Sequence, residues 1–106
     1  MAIIEQRVYV LKPVYGPADY FACYDETVRK LQIDHLGELL GYFISEVGEL
    51  NAVISLWRYP SFEARLERRA ALAKDSSWKG FLNEVRPMLQ RMENRLLLPA
   101  AFSPIN

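Results

Sequence analysis

Two apolar runs, Glu38–Val47 and Leu50–Tyr59, flank the pair Gly48-Glu49, and no other feature restricts this chain as much. Glycine at the first central position suits a two-residue type II′ turn, so a hairpin is predicted. Such a turn sets the register. Val47 then faces Leu50, Glu46 faces Asn51, Ile44 faces Val53, Tyr42 faces Ser55 and Leu40 faces Trp57. Successive side chains in a strand point to opposite faces. One face carries Leu39, Gly41, Phe43, Val47, Leu50, Ala52, Ile54 and Leu56. The other carries Leu40, Tyr42, Ile44, Val53 and Trp57, with Glu46, Asn51 and Ser55 among them. Neither alternates apolar with polar residues as a wet face of an antiparallel sheet does.

The flanking segments supply what covers one of these faces. Ile3 to Lys12 is β-branched and aromatic at its centre and ends at Pro13, which predicts a first strand. Gly16-Pro17 turns the chain into a helix whose stripe is Tyr20, Phe21, Tyr24, Val28 and Leu31. After the hairpin, Ser61 is placed to cap a helix carrying Phe62, Leu66, Ala70 and Ala73. A helix restarts at Asp75 or Ser76, with Trp78, Phe81, Leu82, Val85 and Leu89 on one side, and Pro87 kinks or shortens it. A last strand is predicted over about Glu93–Leu98, and residues 100–106 are expected to form an extended arm. The order β-α-β-β-α-β is a split βαβ unit, an α+β fold. Right-handed crossovers give it a four-stranded antiparallel sheet with helices on one face. The other face is left apolar. The simplest cover is a second copy packed sheet on sheet about a two-fold axis, so a homodimer is expected, the alternative being a single chain with its short tail folded over the face.

The 106 residues fit a single domain, 1–106. Thirteen basic residues cancel thirteen acidic ones, so no global field draws the chain to nucleic acid or to a membrane surface. Arg65, Arg68 and Arg69 alternate with Glu63 and Glu67, the pattern of a solvated helix face. Cys23 is the only cysteine, which excludes an intramolecular disulfide and a cysteine-rich metal site. No metal or cofactor is expected. The first residues lack a signal-peptide pattern and no run approaches a membrane span, so a cytoplasmic location is the default expectation.

Gly48-Glu49-Leu50-Asn51, Leu56-Trp57-Arg58-Tyr59 and Ser61 resemble the central signature of the NIPSNAP family. The resemblance continues through Arg65, Arg69, Ala70, Leu72, Asp75, Trp78 and Phe81. It closes with Arg86-Pro87, Glu93-Asn94-Arg95, Pro99 and Phe102-Ser103-Pro104, and Arg7, Tyr9, Leu11, Lys12 and Pro13 resemble the family's first strand. It implies a ferredoxin-like subunit in a dimeric α/β barrel, a superfold shared with cofactor-free monooxygenases, haem-degrading enzymes and lyases. The family itself has no settled reaction; members have been linked to vesicle handling, mitochondria and protein interactions. Two positions depart from the pattern. Ser55 stands where the family often has His, and Val14 where it often has Gly. The first removes a natural acid–base group.

Candidate chemistry follows from the predicted faces. Tyr42, Ser55, Trp57, Glu46 and Asn51 share one side, an aromatic lining with a few polar groups that suits a small-molecule pocket. The alternative is a packed core whose polar atoms are paired. A pocket between sheet and helices is expected to be lined by Tyr9, Phe21, Tyr42 and Trp57, and to take a small apolar molecule. Arg7, Arg58 and Asn94 lie on strands, match the family pattern, and can hold an anionic or carbonyl group or pair with Glu46 or Glu93. Glu46 is the candidate base for a cofactor-independent oxygenase or isomerase, the alternative to a binding domain. A third reading is a protein-interaction domain without a pocket. His35 is expected as a surface or helix-capping residue, and Cys23 as a buried, inert thiol.

Overall fold

In the computed structural model, which describes residues 2–106, four strands and four helices form the α+β fold expected from the sequence. The elements are β1 (Ile3–Leu11), α1 (Pro17–Cys23), α2 (Glu26–Leu36), β2 (Glu38–Ile44), β3 (Ala52–Tyr59), α3 (Phe62–Ala73), α4 (Ser76–Val85) and β4 (Leu89–Leu97). The sheet is antiparallel in the order β2-β3-β1-β4, with the helices on one face. Among the described residues no helix is long and apolar enough to cross a membrane.

The helices end where local chemistry ends them. The predicted first helix is two, because Asp25 leaves helical geometry and its carboxylate accepts from the Val28 N–H at 2.9 Å, starting α2. Ser61 caps α3 by accepting from Ala64 N–H at 3.1 Å, and Asp75 caps α4 through Ser77 and Trp78. Pro87 cannot continue α4, so Arg86–Met88 tightens to a 3₁₀ turn. β4 therefore begins at Leu89, four residues before the predicted start, and pairs with β1 along its length.

The hairpin departs from the predicted turn. Tyr42 does pair with Ser55 and Ile44 with Val53, but the register slips by one before Gly41, so Leu39 rather than Leu40 faces Trp57. Residues 45–51 form an irregular loop instead of a two-residue turn. Asn51 is the reason. Its backbone is left-handed (φ 61°), and its amide donates to the carbonyls of Leu11, Lys12 and Tyr15 at 2.9–3.1 Å. It is committed to the β1–α1 connection and does not face Glu46.

The core lies between sheet and helices. Ile3, Leu11, Val53, Trp57 and Tyr59 from the sheet meet Tyr20, Tyr24, Leu36, Leu72, Trp78, Phe81 and Val85. Tyr20 is its hub, with edge-on contacts to Tyr9, Phe21 and Phe81 at 5.9–6.0 Å between ring centres. On the opposite sheet face Ile4, Val10 and Ala52 are hidden, Val8, Ile54 and Leu56 half-buried, and Phe43 is 50% exposed. The C-terminal tail is not an extended arm: it turns back toward Ile4, Leu56 and Leu97, and the Arg58 guanidinium donates to the Asn106 carbonyl.

Gly37 and Gly48 both have positive φ, and at Gly37 the surroundings also leave no room for a side chain. Gly37 ends α2 at φ +98°, and a Cβ there would sit 2.7 Å from the Arg68 guanidinium, which donates to the Leu36 carbonyl at 3.1 Å. Gly37→Ala should lower stability by about 1–2 kcal/mol from the backbone alone. A urea midpoint unchanged from the parent would contradict this.

Candidate functional site

Strand alternation places Ile3, Glu5, Arg7, Tyr9 and Leu11 of β1 beneath the helices. Glu5 is thereby carried into the interior, with no exposed surface. A buried carboxylate is costly unless paired and hydrogen-bonded. Its Oε2 accepts from Arg65 at 2.7 Å, Asn94 at 2.8 Å and Arg7 at 3.1 Å, and Arg69 Nη1 stands 4.0 Å from Oε1. Burial alone would push the Glu5 carboxyl up. The hydrogen bonds from Arg65 and Asn94 and the charges of Arg7 and Arg65 outweigh it and hold the carboxyl below its ordinary value. The cluster joins β1, β4 and α3.

It also corrects the reading of α3. Arg65, Arg68 and Arg69 are not a solvated face: Arg65 and Arg69 reach inward to Glu5, and Arg68 caps α2. The stripe expected inside points outward, with Phe62 and Leu66 47% and 51% exposed. Arginine stems are apolar enough to pack against the core while their heads serve the carboxylate.

Beside this cluster lies a cavity of about 100 Å³. Arg7 and Tyr9 come to it from β1, Arg69 from α3, Trp78, Phe81 and Leu82 from α4, and Arg86, Leu89 and Met92 from the segment that follows. Arg7 is fixed there: its Nε donates to the Tyr9 hydroxyl at 3.0 Å and its other end to Glu5. Trp78 and Phe81 present a tilted aromatic wall, with ring centres 4.9 Å apart.

The residues singled out from sequence divide. Arg7 and Tyr9 line the cavity. Trp57 and Ser55 are closed in the core and satisfy one another, Trp57 Nε1 donating to Ser55 Oγ at 3.1 Å. Tyr42 packs on Phe21 and Tyr24, and burial pushes its hydroxyl up to about 12. These residues form the packed core weighed above as the alternative. Asn51 is spent on backbone carbonyls, and Arg58 lies on the opposite sheet face, 3.8 Å from Glu38. Glu46 is exposed in the 45–51 loop, so it lacks the burial that its role as a base requires. Asn94 binds Glu5. His35 pairs with Asp75 at 3.2 Å, joining the end of α2 to the start of α4. Cys23 is half-buried, and burial and Glu84 push its thiol up, away from reactivity.

The sequence reading missed Glu5, Arg69 and Arg86 as site residues. The signal available was Glu5 itself, a charged residue at an inward position of a strand that is otherwise apolar at Ile3, Tyr9 and Leu11.

If the ion cluster organises the site, Glu5→Gln should cost about 3–5 kcal/mol at pH 7, because it leaves buried guanidiniums without their counter-charge. The Glu5 carboxyl lies below its ordinary value of 4.5 in the folded chain. Its contribution is therefore complete above that pH and is lost as pH falls through the folded value. The stability gap between parent and Glu5→Gln should be flat above about pH 5 and shrink in acid below it. Parallel pH–stability curves would refute the assignment.

A family model described as NIPSNAP matches residues 4–104. NipSnap homolog 2 of Mus musculus is 30% identical over 103 residues, covering 97% of this chain and 36% of that protein. The chain spans 24% to 36% of the lengths of the curated relatives it matches in Danio rerio and Mus musculus. A crystal structure of a NIPSNAP family protein with unknown function from Agrobacterium tumefaciens is 37% identical, with a TM-score of 0.93 over 99% of this chain and 94% of that one. SnoaB, a cofactor-independent oxygenase from Streptomyces nogalater, shares the fold alone, at 13% identity and a TM-score of 0.63 over 97% of both chains.

Proposed function

This chain belongs to the NIPSNAP family, and we propose that it is a small-molecule-binding domain that works as a homodimer. The observation that carries the reading is the cavity between β1, β4 and α4, where aromatic and aliphatic walls meet the fixed Arg7 guanidinium and the side chains of Arg69 and Arg86. Ligand sites are concave, mostly apolar, and carry a few placed polar groups. The site differs in place from the Tyr42–Ser55–Trp57 pocket expected from sequence, but it keeps Arg7 and Tyr9.

The second copy is supported by the sheet face away from the helices, where Val8, Ile54, Leu56 and Phe43 remain partly exposed beside the buried Ile4, Val10 and Ala52. Each 100 Å² of such surface covered contributes roughly 2.5 kcal/mol before association costs. The phenyl ring of Phe43 lies across Gly41, where a Cβ would meet it at 2.7 Å, which spreads the aromatic surface flat along the strand. An oxygenase or isomerase would need a base at the cavity. Glu46 is remote from that role, and Glu5 is held as an anion by its arginines, so no observation favours catalysis over binding.

Two measurements test the two halves. Compact aromatic compounds should shift the Trp78 indole resonance saturably, and Leu82→Trp, which fills the cavity, should abolish the shift. Binding unaffected by that variant, or no shift with any compound, would refute the binding site. Sedimentation at low micromolar concentration should give a dimer, and Ile54→Glu should give single folded chains. A parent that sediments as single chains would refute the homodimer.

A further inference from the structure

We propose that the occupant of the cavity is a compact carboxylic acid, held as its anion by Arg69 and Arg86 with its apolar body against Trp78, Phe81 and Leu82. The inference rests on the cavity being a binding site and adds the charge and size of what it binds.

Charge balance is the first argument. Arg7, Arg65 and Arg69 all lie within 4.0 Å of Glu5, and among the described residues their ion pairs go to Glu5 alone. Three guanidiniums against one carboxylate leave two positive charges in excess. Arg86 adds another guanidinium at the cavity. Glu5 Oε2 already accepts three hydrogen bonds, while Glu5 Oε1 and Arg69 Nη1 stand 4.0 Å apart, both buried and neither hydrogen-bonded. A buried charged donor left unpaired is costly. A ligand carboxylate supplies the missing negative charge, and its two oxygens match the guanidinium fork.

Placement is the second. Arg69 and Arg86 line the cavity and also the adjoining surface groove between α3 and α4, which Lys79 flanks. Arg86 is exposed and stands at the mouth toward solvent, with the partly buried Arg69 behind it. An acid entering body first leaves its carboxylate beside them.

Size and wall chemistry are the third. The cavity holds about 100 Å³, somewhat less than the roughly 150 Å³ of an engineered cavity that takes benzene. The buried part is thus no larger than one ring or a short branched chain. The walls at Trp78, Phe81 and Leu82 offer nothing to a strongly hydrated anion such as inorganic phosphate, which would lose its water without replacement.

Calorimetry at pH 7 with benzoate, its neutral isostere benzamide, and inorganic phosphate tests this. Benzoate should bind saturably and benzamide roughly tenfold or more weaker, as expected for one charge-assisted contact. Arg86→Gln and Arg69→Gln should each weaken benzoate by a similar factor and leave benzamide unchanged. Arg86 is exposed, so its variant decides the matter even if Arg69→Gln fails to fold. Benzamide binding as tightly as benzoate would overturn the carboxylate while leaving the cavity as a site. Phosphate binding as tightly as benzoate would overturn the apolar body. If neither benzoate nor any neutral ring compound binds, the cavity is not a site and the inference falls with it.

Discussion

A single carboxylate with no access to water sets the arrangement of one half of this molecule. Glu5 lies on a central strand, on the face that the helices cover. Ionised and buried, it demands counter-charge and donors from whatever packs above it. Arg65 and Arg69 of α3 and Asn94 of β4 answer that demand. The rotation of α3 about its own axis follows, since both arginines must face down. Its apolar stripe, Phe62 and Leu66, is then turned out. Such a cluster adds little net stability over a well-packed apolar one. What it adds is specificity of packing and a fixed charge, because Arg7 is held at the edge of the cavity that Trp78 and Phe81 wall.

The two sheet faces are therefore differently employed. The helix side combines a filled aromatic core around Tyr20 with one charged corner and one small void. The other side has an apolar centre at Val8, Ile54 and Leu56, with the returning C-terminal tail against Ile4, Leu56 and Leu97 and charged residues of β4 at its edge. An exposed apolar centre on the second face suits a subunit better than a monomer. The site and the proposed interface occupy opposite sides of the same four strands, so either can be altered without touching the other.

Much of the architecture was legible in the sequence, because periodicity reports burial directly. The shift from period two to period three or four at Ala18 and at Phe62 marks the strand–helix alternation. The pairs Tyr42–Ser55 and Ile44–Val53 follow from counting symmetrically outward from Gly48-Glu49, and the family resemblance rests on motifs such as Leu56-Trp57-Arg58-Tyr59. The failures share one cause, a polar side chain whose partner is distant in sequence. Asn51 looked like a strand residue but is recruited by carbonyls at Leu11, Lys12 and Tyr15, and the turn opens into a loop. Arg65 and Arg69 looked solvated because their partner, Glu5, lies sixty residues away in the chain and across the core. The aromatic residues on the hairpin suggested a lining for a pocket. They are core, because Tyr20, Phe21 and Tyr24 supply enough rings to fill the space above them.

The ionisation of Glu5 is the central claim, and a carbon-detected NMR titration of its side-chain carboxyl in the folded protein reads it directly. The resonance should report an anion throughout the neutral range and begin to protonate only below the ordinary glutamate value of 4.5. A carboxyl that titrates at or above that value would mean that burial outweighs the guanidiniums, and the electrostatic account of α3 and of the cavity would be wrong.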